Sequence, residues 1–196
     1  MARHLYPGLR RGACVTVAAL LAPLAGAQTP ESKDASCVHD TLKARGVATI
    51  VAETYLTDEA PEGELNDARL HLADAVKSCV EERELSESQA AATRDIGLYS
   101  VAIDYLADKL AKGGASAAAV AGARAVIGVF SDEDIDRFFE DDWRSDLAFM
   151  GKVKAALIAR GLPDAEPGLT TAFDMIEIEA KVKQAAFLFK LSAENS

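Results

Sequence analysis

The chain contains no Cys-x-x-Cys pair, no glycine-rich phosphate loop and no nucleophile elbow, so the commonest redox, nucleotide-binding and hydrolase signatures are missing. Basic charge is scarce as well: 21 Lys and Arg stand against 31 Asp and Glu, a net charge of −10. Nucleic acid and anionic membrane surfaces both require a positive face, so neither is an expected partner. No internal repeat is visible, and no β-patterned stretch apart from residues 47–51. Long apolar runs are confined to the start of the chain; residues 115–130 are rich in small side chains but are interrupted by Arg124 and too short to span a bilayer.

Residues 1–27 have the pattern of an export signal. Arg3, Arg10 and Arg11 precede an apolar run over 13–24, and Ala25, Gly26 and Ala27 form a small-residue cleavage site before Gln28. Pro23 and Gly26 close the run, so no integral membrane anchor is expected, and Cys14 lies at its start, where a lipid-bearing cysteine would not be. The expected location is periplasmic or secreted. Cleavage removes three basic residues and no acidic ones, so the mature charge is 18 − 31 = −13. A protein partner, if there is one, would suit that charge best if it were cationic. Two of the three cysteines remain, Cys37 and Cys79, and an oxidising compartment favours a disulfide between them. Closing a loop of that length would remove about 4 kcal/mol of unfolded-state entropy.

The mature chain is the right size for one domain, and its patterning is helical throughout. A flexible lead over 28–34 is expected, then a helical domain over 35–191 and a frayed tail over 192–196. Cys37, Thr41, Ala44, Ala48, Val51 and Tyr55 keep helical spacing through Gly46, which predicts one helix or two meeting at that glycine. A second helix over 64–84 carries Leu65, Ala68, Leu72, Val76 and Cys79 on one side. The clearest helix follows, opened by a Ser86–Gln89 capping box and stopped by Gly113 and Gly114. Ala92, Ile96, Tyr99, Ile103, Leu106 and Leu110 form its seam, while Leu98, Val101 and Tyr105 lie on the far side, so it should sit centrally and be covered twice.

Beyond it, Ser131 and Asp134 signal another helix start. Ile135, Phe138, Phe139, Trp143, Leu147, Met150 and Leu157 mark one helix, or two with a kink near Asp141. A last helix over 170–191 has Met175, Ile178, Val182, Ala185 and Phe189 on its seam, widened by Phe173, Ile176, Phe187 and Leu188, so it is either buried on two sides or offers a surface to a partner. The expected fold is an all-α, single-domain bundle of five or six helices, the first two linked by the disulfide.

Each chemical motif has a plainer structural explanation. Asp132, Asp134 and Asp136 begin like an EF-hand, but Arg137 stands where glycine is needed and Trp143 where the bidentate glutamate should be, which leaves an acid-rich first helical turn. His39 and His71 point to different places once Cys37 is joined to Cys79, so no metal site is expected from them. Asp67, His71, Asp74 and Ser78 share a helix face, yet Ser78 is about 10 Å along the axis from His71, beyond nucleophile-to-base reach. There remains Asp95, at the core edge one turn from Tyr99, as a candidate ligand-orienting pair or a structural hydrogen bond. No cofactor and no catalytic residue is assigned, and oligomeric state is left open. The composition favours a non-catalytic binding or interaction protein of the cell envelope. The rivals are a small-ligand binder or enzyme with a pocket around Asp95 and Tyr99, and an acidic inhibitor or chaperone of a basic exported protein.

Overall fold

The computed structural model describes residues 30–57, 60–140 and 142–194, with side chains from residue 34 onward. The export signal expected over 1–27 lies outside them. Eight α-helices and no strand occur among the described residues: α1 (Pro30–Ala44), α2 (Ala48–Leu56), α3 (Glu62–Arg83), α4 (Glu87–Lys112), α5 (Ala117–Arg124), α6 (Asp132–Arg137), α7 (Leu147–Ala159) and α8 (Gly168–Glu194). None is long and apolar enough to cross a membrane.

Gly46 breaks the first helix, at φ +71°, a left-handed conformation that glycine adopts without the steric cost of a Cβ. The β-friendly residues after it are helical, because Val51, Ala52 and Thr54 bury one side of α2. Helix α1 begins at Pro30 and α8 continues to Glu194, so both reach into the residues expected as flexible lead and frayed tail. Cys37 and Cys79 are joined, with Cα atoms 5.9 Å apart, tying α1 to α3.

Helix α4 is the central post. Its capping box forms as expected, with Ser86 and Gln89 each satisfying the other's backbone donor. Helix α8 packs along one side of it and α1 and α2 along the other. Ala92, Ile96, Ile103, Leu106 and Leu110 are buried on one flank and Val101 on the other. The approach of α1 depends on Gly97: a Cβ there would lie 2.4 Å from Val38 Cγ1.

Between α6 and α7 the chain does not continue as one helix. Asp146 ends the break, its carboxylate accepting from the backbone N–H of Ala148 and Phe149 as a new N-cap. The interruption shifts the register, so Leu147 is 75 % exposed while Phe149 and Val153 occupy the core in its place. Phe138 and Phe149 pack on Trp143, and Phe173 of α8 meets Trp143 edge to face.

Candidate functional site

Asp95 and Tyr99 lie one turn apart on α4, but each has another partner. Arg94 Nε donates to Asp95 Oδ1 at 2.8 Å, so the carboxylate is neutralised by its chain neighbour. The Tyr99 ring leans on Tyr55 of α2, centroids 5.8 Å apart. Burial raises the Tyr99 phenol above its ordinary range, and the nearby Tyr55 and Asp95 add to this.

The densest polar constellation centres instead on Asp104, about two and a half turns beyond Asp95 on α4. His39 Nε2 and Lys43 Nζ, one turn apart on α1, both donate to its Oδ2, at 3.0 and 2.9 Å. Arg124, the last residue of α5, donates to its Oδ1. The close approach of α1 at Gly97 brings this about, since His39 follows Val38 directly. The hydrogen bond from His39, with those from Lys43 and Arg124, outweighs burial and holds the Asp104 carboxyl far below the usual carboxylate range. His39 is raised in return, by its bond to Asp104 against the effect of burial. Glu179, on α8, faces the same cluster; burial pushes its carboxyl up to about 7, Asp104 adds to the rise and Arg124 opposes it.

Beside this cluster a cleft of about 580 Å³ runs between α1, α2, α4 and α5. Lys43, Thr49, Glu53, Asp104, Lys109 and Arg124 are among its lining. A second cleft, of about 490 Å³, shares Glu53, Tyr105 and Lys109 with the first and continues towards α8. Together they form one trough along α4. Tyr105 and Glu53 both line it, and burial, then the charge of Glu53, raises the phenol. At the α8 end Arg144 pairs with Asp174 and Glu177 at 2.8 and 3.0 Å, and Trp143 Nε1 donates to Glu177 at 3.2 Å. Burial opposes the ionisation of Glu177, but Trp143, Lys181 and Arg144 prevail and its pKa is lowered.

The entrance of α2 opens on the same trough through Ala48 and Thr49, and its N-cap, Val47, supplies no side-chain cap. Asp108 and Lys112 stand at i, i+4 spacing without forming an ion pair, and among the described residues Lys109 and Lys112 line the trough without a carboxylate partner. Two smaller clefts, of about 290 and 140 Å³, meet the trough only at Tyr55 and at Lys109 respectively. Neither Asp95, Tyr99 nor Glu179 borders any of these four clefts.

The remaining candidates are dispersed. Asp134 closes the α6 capping box and pairs with Lys152 at 2.7 Å, so the acidic run is helix entrance and ion pair. Asp67 and Asp74 are exposed on α3, and Ser78 accepts from Arg45 at 2.6 Å. No group of three or more His, Cys, Asp or Glu among the described residues is placed to hold a metal ion. On α8, Phe173 and Ile176 turn inward, whereas Phe187 and Leu188 are 60 % and 52 % exposed. The sequence reading missed Asp104, and the signal that could have found it was the His39/Lys43 repeat, two nitrogen-bearing side chains one turn apart on α1. No protein-family model matches the chain, and no characterised protein or solved structure does either.

Proposed function

We propose that this is an exported, non-catalytic binding protein of the cell envelope that holds its ligand or partner in the trough along α4. The observation carrying this reading is that the strongest charges of the trough are already fixed to one another. Asp104 is gripped by His39, Lys43 and Arg124, and Glu177 by Trp143, Arg144 and Lys181. Carboxylates held ionised in this way are poor proton shuttles but well-positioned fixed charges. Glu179, whose pKa of about 7 suits a general base, borders none of the described clefts. Each of the two clefts has a volume in the range usual for small-molecule sites.

Retention from an envelope extract tests this. Purified protein should retain a small set of molecules and release them chemically unchanged. Thr49→Trp, which fills the trough from the exposed start of α2, should lose them while keeping its helical circular dichroism. Identical retention by both proteins, or conversion of the retained molecule into another, would sink the reading.

A further inference from the structure

The lining of the trough inverts the charge balance of the chain. Acidic residues outnumber basic ones 31 to 21 overall, yet the larger cleft is lined by Lys43, Lys109, Lys112 and Arg124 against Glu53, Asp104 and Asp108, four to three. The positive groups also come from separate elements: Lys43 from α1, Lys109 and Lys112 from α4, Arg124 from α5. We propose that the trough binds a small oxyanion carrying at least two negative charges, phosphate or carboxylate, between Arg124 and Lys43 at one end and Lys109 and Lys112 at the other. This rests on the trough being a ligand site and names the class of ligand.

Three features of the lining point to an anion. Asp104 already accepts from three donors, two of them permanently cationic, so its charge is compensated within the protein and its effect is to hold Arg124 and Lys43 in place. Arg124 uses one terminal nitrogen on Asp104 and keeps a 42 % exposed side chain. A guanidinium has five N–H donors in a planar fork suited to phosphate or carboxylate, so several remain for a ligand. Lys109 and Lys112 have no ion-pair partner among the described residues. Their place in the last turn of α4 complements the helix dipole, which accounts for their being tolerated there. Lys43 and Arg124 likewise stand in the last turns of α1 and α5, so three helix C-termini bring their cations to one cleft. Helical rise puts Lys109 and Lys112 roughly 8–12 Å along α4 from Asp104, a span that fits two anionic groups on one small molecule.

Backbone-amide NMR titrations with inorganic pyrophosphate, citrate and fructose 1,6-bisphosphate test this, with neutral fructose and cationic spermidine as contrasts. At least one anion should bind saturably and shift the amides of Lys43, Thr49, Lys109, Lys112 and Arg124. Lys109→Gln with Lys112→Gln should weaken it about tenfold or more. These two side chains are exposed and unpaired, so the fold should survive, as an unchanged spectrum elsewhere would show. Arg124→Gln should weaken the anion further. Phosphate and carboxylate probes separate the two chemistries. Anion binding that is indifferent to the lysine substitutions would be diffuse surface attraction and would overturn the proposal. Trough shifts with fructose or spermidine alone would overturn it while leaving the trough a ligand site. No shift with any probe would overturn it too, and the Thr49→Trp retention experiment then decides the wider reading separately.

Discussion

At Gly97 a Cβ would meet Val38 Cγ1 at 2.4 Å, Val38 Cβ at 2.6 Å and the backbone nitrogen of His39 at 3.0 Å. Val38 is fully buried and cannot swing aside. Alanine is the better helix former by up to about 1 kcal/mol, but forcing two packed helices apart typically costs about 1–3 kcal/mol. The clash should win. Gly97→Ala is expected to lower the urea midpoint and to shift the His39 ring resonances, because the same crossing delivers His39 to Asp104. A higher midpoint would mean that the crossing is loose. Helical angles put Asp95 at the core edge and do not distinguish Asp104 from an ordinary surface residue. An angle gives the direction of a side chain on its own helix, but nothing about what arrives from another. The donors to Asp104 come from positions 65 and 61 residues before it and 20 after, separations no local pattern reports.

At the scale of elements, legibility follows how local the signal is. Both capping boxes formed, since each needs residues only three apart, and the cysteine pair joined as the two apolar stripes required. The stretch from 132 to 159 was harder. A seam drawn straight through it assigns Leu147 to the core, because periodicity carries no mark of a break that Asp146 creates by capping α7. The disulfide lies in a core cluster built from α1, α2, α3, the N-terminal half of α4 and the far end of α8. A second cluster gathers the rest of α4 and α8 around α5, α6 and α7. Cys37→Ser with Cys79→Ser should therefore cost up to about 4 kcal/mol, with the loss concentrated in one half. Hydrogen exchange should show α1 and α3 losing protection first, while amides of α7 change little. Uniform loss would mean that the two clusters unfold as one.

Those two clusters meet where α1, α4, α5 and α8 bring His39, Asp104, Arg124 and Glu179 together, so the whole molecule should respond to pH through that junction. His39 is raised above 6.5, so its contribution is complete below that pH and is lost as pH climbs through the folded value. Glu179 moves from 4.5 to about 7: between those values the unfolded chain gives up a proton that the folded state keeps, and stability falls as pH rises. Asp104 acts in the opposite sense. Its depressed pKa stabilises the fold above 3.8 and the effect is withdrawn only under strong acid. All three conditions are met at once only near pH 4, between the ordinary Asp and Glu values of 3.8 and 4.5. Unfolding by urea should accordingly show a drop on the order of 2 kcal/mol from pH 5 to pH 8. Glu179→Gln should recover most of that drop at pH 8 and do little at pH 4, and His39→Gln should flatten what is left. A profile that climbs steadily towards pH 8 would show that neither group carries its proton in the folded protein, and that the junction is held by Lys43 and Arg124 alone.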